Sequence, residues 1–262
     1  MRKQRFVMIV PLLFLILVCV FYGEQDYEET IPITTRSDRA KKLYAEGKEA
    51  AAKVYIDKAM ELFDQAVQED PAFFRALYDQ SIYFLYLGDQ EKFKECTEKA
   101  LKSDLDLSEG EQLLYDALEK LSQDPKADLT DIGKRLVEMY PNDDEAYNQL
   151  SFYYNLIEDY ENASATLKKA LDITKNPAPI LNMLGYNYIS QKKFPEAKEA
   201  FNKYLELEPD LPNPYDSFGD YYMAVKDYEN AYKSYMKAYE LDNTWTGSRD
   251  RALKAKELME KK

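Results

Sequence analysis

The chain of 262 residues contains no histidine, only two cysteines and only eight glycines. Without histidine there is no Ser-His-Asp or Cys-His nucleophile system and no His-containing zinc or non-haem iron site. The side chain that most often serves as general base near neutral pH is missing as well. Eight glycines cannot serve the turns of a many-stranded sandwich or barrel, nor the phosphate loops of a doubly wound nucleotide-binding sheet, so a mostly helical chain is favoured. Cys19 lies in an apolar N-terminal run, which leaves Cys96 without an intramolecular disulfide partner; the body is therefore held by packing alone. The sequence also lacks a calcium loop, a phosphate loop, a dinucleotide fingerprint, a CxxC pair and a nucleophile elbow. These absences imply no enzyme, no cofactor and no metal.

Positive charge is in deficit too. There are 35 Lys and Arg against 48 Asp and Glu, a net of -13. Residues 1–22 hold Arg2, Lys3 and Arg5 and no acid, so residues 23–262 carry 32 basic against 48 acidic side chains, a net of -16. A polyanion of that size repels nucleic acid phosphates at long range, which excludes nucleic acid as a partner.

What is present begins with residues 1–22. A basic start is followed by an uncharged run from Phe6 to Tyr22, broken by Pro11, and then by the acidic stretch from Glu24. This reads as an N-terminal signal or transmembrane segment whose basic flank stays cytoplasmic, leaving the body membrane-anchored and extracytoplasmic, on the periplasmic or cell-surface side. Three fates are open: an uncleaved anchor, a cleaved signal, or a lipoprotein signal with lipidation at Cys19. Residues 23–39, with Pro32 and several Thr, Glu and Asp residues, read as a linker.

From there a period of 34 residues dominates. Leu184, Gly185, Tyr188, Ala197 and Phe201 return as Phe218, Gly219, Tyr222, Ala231 and Tyr235, and one step back stand Leu150, Ser151, Tyr154, Ala163 and Leu167. Leu43, Gly47, Ala59, Phe63, Ala66 and Pro71 fit the same frame near the start. Each unit offers two apolar faces at helical spacing, with small residues where two helices approach and Pro209 or Pro141 stopping the second helix. The unit holding Leu129, Gly133 and Leu136 is degenerate, after a two-residue insertion near 104–111.

This pattern resembles the tetratricopeptide repeat, a helix-turn-helix unit. The resemblance implies an all-α solenoid, a right-handed superhelix of antiparallel helix pairs following the N-terminal membrane segment. Six units cover 40–73, 74–109, 110–143, 144–177, 178–211 and 212–245, and residues 246–262 form a C-terminal capping helix.

The resemblance further implies a concave groove lined by the first helix of each unit. Its fifth positions are Tyr44, Tyr78, Leu114, Asn148, Asn182 and Asp216, and its ninth are Lys48, Ile82, Leu118, Phe152, Tyr186 and Asp220. The lining runs from apolar, through Asn with aromatics, to acidic. Asn148 and Asn182 can donate to and accept from the backbone of an extended peptide, while Phe152, Tyr186 and Tyr78 pack its side chains and Asp216 and Asp220 favour a basic end. The Lys and Asn clamp with which chaperone-binding members hold an acidic C-terminus is missing. The carboxylate groups Asp104/Asp106 and Asp143/Asp144/Glu145 sit where helices begin and suit the macrodipole. The expectation is a membrane-tethered scaffold in the cell envelope, binding a neutral to basic protein segment in its groove. The alternative is an architectural or oligomerising subunit that uses its ends or convex face.

Overall fold

The computed structural model describes residues 29–261. Among them thirteen helices follow one another without a strand: α1 (Asp38–Ala52), α2 (Ile56–Glu69), α3 (Phe74–Leu87), α4 (Gln90–Ala100), α5 (Glu109–Gln123), α6 (Thr130–Met139), α7 (Asp144–Leu156), α8 (Tyr160–Ile173), α9 (Pro177–Ser190), α10 (Phe194–Leu207), α11 (Pro212–Ala224), α12 (Tyr228–Leu241) and α13 (Thr246–Glu260). No helix among the described residues is long and apolar enough to cross a membrane. The segment 1–22, with Cys19, lies outside the described residues.

Local chemistry explains where the helices start. Ser37 caps α1 through the Ala40 amide, and Ser108 with Glu111 forms a reciprocal capping box on α5. Asp89, Asp159 and Asp227 cap α4, α8 and α12 through the amides of Lys92, Asn162 and Asn230. Pro177 and Pro212 open α9 and α11, where the missing amide hydrogen costs nothing. The turn inside five of the six helix pairs holds one left-handed residue: Val54, Gly88, Glu158, Lys192 and Lys226. Only one of the five is glycine, so the low glycine count conceals a turn conformation that glycine favours.

Within each regular pair the first helix lies against the second across a small residue. A Cβ on Gly47, Gly185 or Gly219 would run into the ring of Phe63, Phe201 or Tyr235, all of them buried. Ala59, Ala163, Ala197 and Ala231 are fully buried where the second helices approach. Cys96 is largely buried in α4, and burial pushes its thiol up to about 11. The pair α5/α6 is different: α6 packs more closely on α7 than on α5, with Gly133 against Leu150 and Tyr153. At the far end α13 buries Ala252 and Ala255 against α12 and leaves Leu253 and Met259 exposed.

The residues before α1 lie on the solenoid. Ile31 is only 2% exposed within the core of α3, α5, α6 and α7, and the chain runs from there to Ser37 past the beginnings of α7, α5 and α3. The described part of the expected linker is therefore packed structure.

Candidate functional site

Most concave positions of the first three helix pairs are taken up by contacts within the chain. Tyr78, Leu114 and Leu118 are fully buried. The Tyr78 hydroxyl donates to Gln149 at 2.9 Å and lies 3.2 Å from the Tyr153 hydroxyl, so α3 is bound directly to α7. This corrects the sequence reading of Tyr78 as a groove contact: curvature brings the helices close enough to bury it.

Charged residues complete the closure. The wholly buried Arg75 of α3 donates to Glu145 of α7 at 2.5 Å, to the Tyr44 hydroxyl and to the Pro32 carbonyl. Lys48 of α1 bridges Asp79 and Glu145 at 3.2 and 3.3 Å. Burial alone would raise the Glu145 carboxyl, but Arg75 and Lys48 reverse this and hold it down at about 2. Asp79 also accepts from the Tyr44 hydroxyl at 2.8 Å. Sequence reasoning missed this network. Its trace was the opposite charges of Arg75 and Glu145, each at the second position of a first helix.

Space remains further along. A cavity of about 680 Å³ lies between α7, α9, α11 and α13, with Val54 and Tyr86 from the first two helix pairs on its rim. Of the residues expected in the groove, Phe152, Asn182, Tyr186 and Asp220 line it. Asn155 and Asn187 join them. The Asn155 Oδ1 and the Nδ2 of the buried Asn187 make no hydrogen bond within the chain. Asn182 accepts from the Ser217 hydroxyl at 2.8 Å. Tyr186 donates to Asp220 at 2.8 Å and stacks edge-on against Phe201, which sets its ring in the wall. Burial, and then the Asp220 charge, raise its hydroxyl well above the ordinary tyrosine range. Tyr86, 83% exposed, is the most exposed large apolar side chain described.

Asn148 and Asp216 fall elsewhere. Neither lines the cavity, and the Asn148 Oδ1 is buried without a partner. Asp216 is buried beneath Arg251, which it meets through both carboxylate oxygens at 2.6 and 2.7 Å, and it accepts from Ser248 at 2.5 Å. Burial raises its carboxyl, outweighing the opposing pull of Arg251. Arg251 also reaches Asp220, at 3.5 Å. The acidic end expected from Asp216 and Asp220 is thus largely neutralised by an arginine from α13, outside the repeat frame in which the groove positions were counted.

No group of three or more histidine, cysteine, aspartate or glutamate side chains is arranged to hold a metal ion among the described residues. The site contains amides, aromatic rings and one compensated charge cluster, a set suited to holding a peptide by hydrogen bonds and packing.

Comparison with known proteins finds tetratricopeptide repeats in part of the chain. A family model described as a tetratricopeptide repeat matches residues 178–211, and a second model with that description matches 144–177 and 213–244. Tetratricopeptide repeat protein 21A of Homo sapiens is 27% identical over 165 residues, covering 61% of this chain and 12% of the human protein's length. Among solved structures, the APC/C hetero-tetramer Cut9-Hcn1 aligns with 83% of this chain and 42% of its own at 17% identity, with a TM-score of 0.48. TTC0263, a thermophilic protein with the same repeats from Thermus thermophilus, aligns with 82% of this chain and 98% of its own at 20% identity, with a TM-score of 0.44.

Proposed function

The chain carries tetratricopeptide repeats, matched over three consecutive units from 144 to 244, and on that premise we propose that it is a membrane-tethered scaffold that binds an extended protein segment between α7 and α13. The observation that carries this reading is the cavity whose wall holds an unpaired buried acceptor on Asn155 and an unpaired buried donor on Asn187. A peptide backbone carries both a donor and an acceptor, which complement these side-chain amides once the segment beds into the wall. Phe152, Tyr186 and Tyr86 then pack the side chains of the bound segment. Asp216 and Asp220 against one Arg251 leave this end mildly negative, which suits neutral to basic segments. The apolar run at 6–22 with its basic flank supports tethering, with the body outside the cytoplasm.

A photocrosslinking residue introduced at 182 should capture a partner from intact membranes, whereas one at Lys203, on α10, should not. Phe152→Ala should weaken capture at least tenfold without changing helical content. Equal capture at both positions, or capture indifferent to Phe152→Ala, would remove the groove from the account. Mass measurement of the mature N-terminus separates the anchored, lipidated and cleaved forms.

A second reading is favoured by the exposed Leu253 and Met259 on α13, 52% and 39% accessible. The solenoid would then join other copies or a larger envelope complex end to end. Light scattering that showed growth with concentration, abolished by Leu253→Glu, would decide for it.

A further inference from the structure

We infer that the edge along which α3, α5 and α7 begin is a second peptide-binding site, and that residues 31–36 occupy it as a detachable ligand of their own solenoid. Three carboxylates accept main-chain amides: Asp143 at the N-cap of α7, Glu111 in the first turn of α5, and Asp70 at the end of α2, in the turn that leads into α3. Asp143 takes the Ile31 amide at 2.8 Å, Glu111 the Thr34 amide at 2.8 Å, and Asp70 the Arg36 amide at 2.8 Å. Main-chain acceptors read the path of a peptide, not its composition.

Side chains supply the selectivity. Ile31 is buried, the Thr34 hydroxyl donates to Glu111 at 2.5 Å, the Thr35 hydroxyl donates to Asp70 at 2.6 Å, and Arg75 donates to the Pro32 carbonyl at 3.3 Å. Glu111 itself is wholly buried without a cation, and its charge is met by Thr34 and Ser108. The ligand class is an extended segment with an aliphatic residue three places before a hydroxyl pair and a trailing arginine, which here pairs with Asp104 at 3.0 Å. Register follows from charge. A shift of two residues would place Glu29 against the Asp143 carboxylate. With one fully buried side chain and no helix or ladder of its own, the segment belongs to the parts of a fold that open locally before the whole unfolds. Once open, the edge is free for a matching segment of another chain.

The test uses the full chain. Amides of residues 31–36 should exchange with deuterium slowly in the wild type and at least tenfold faster in Ile31→Asp, while exchange in the helices stays unchanged. A labelled synthetic peptide of residues 29–37 should bind Ile31→Asp and not the wild type, whose edge is filled, and adding Asp143→Ala should abolish that binding. If Ile31→Asp does not fold, Thr34→Val with Thr35→Val takes its place in the same comparisons. Rapid exchange in the wild type overturns the inference, as does a peptide that binds neither protein or binds both alike.

Discussion

At the scale of single residues, the six repeats form a comparison series inside one chain. Where the first helix has glycine at its close-approach position, the second supplies an aromatic ring, as in Gly47 with Phe63, Gly185 with Phe201 and Gly219 with Tyr235. Where it has Ser or Ala, the corresponding partner is smaller or aliphatic: Ser81 with Thr97, Ala117 with Gly133, Ser151 with Leu167. The ring occupies the volume a side chain would need. Gly185→Ser should therefore destabilise by about 1–3 kcal/mol through overpacking. Adding Phe201→Leu, which reproduces the Ser151 and Leu167 pair, should recover at least about 1 kcal/mol as a coupling energy in urea unfolding. Strict additivity would show that the two positions are independent. The left-handed turn residue makes a second series. Val54 is β-branched at φ 61°, whereas Gly88 meets the same requirement at φ 72° without strain. Val54→Gly should stabilise by about 0.5–1 kcal/mol and Gly88→Val should destabilise by at least as much, as read from urea midpoints.

At the scale of elements, the contacts that matter most join helices far apart in sequence. Arg75 and Glu145 tie α3 to α7, and both belong to a network with Lys48 of α1. Glu145→Gln leaves the buried guanidinium without its counter-charge and should cost about 3 kcal/mol; Arg75→Met combined with Glu145→Met should recover more than half of that. The frame that revealed the helices does not reveal such a pair, because charge at one repeat position is equally compatible with a solvated face. The same limit applies to Tyr78 and Asp216. Their positions in the frame were legible, but whether those positions face open space depends on how tightly neighbouring helices close. Phe152, Asn182, Tyr186 and Asp220 do face the cavity. Arg251, Asn155, Asn187 and Tyr86 escaped notice because they sit outside the two positions counted, or outside the repeats altogether.

At the scale of the whole molecule, acid should act through the Glu145 network first. The Glu145 carboxyl is held at about 2, below the 4.5 ordinary for glutamate, so its contribution is complete above about 4.5 and is lost as pH falls toward 2. Asp143 and Asp216 have the opposite sign. Burial raises their carboxyls, so their cost is felt above the raised values and relieved on acidification. The gap in urea midpoint between wild type and Glu145→Gln should therefore close between pH 4.5 and 2. A gap independent of pH would show that the carboxylate is not stabilised by its charge.

The sequence by itself determined the helical character, the repeat and its weak third unit, since helical periodicity, small-residue spacing and proline stops act over a few neighbouring residues. Only the tertiary structure decided which concave positions remain open, that an arginine from the last helix covers the acidic end, and that residues 31–36 lie along three helix starts. Each of these depends on the angle at which one helix pair stacks on the next. That angle accumulates over several units, and no local pattern of residues encodes the sum.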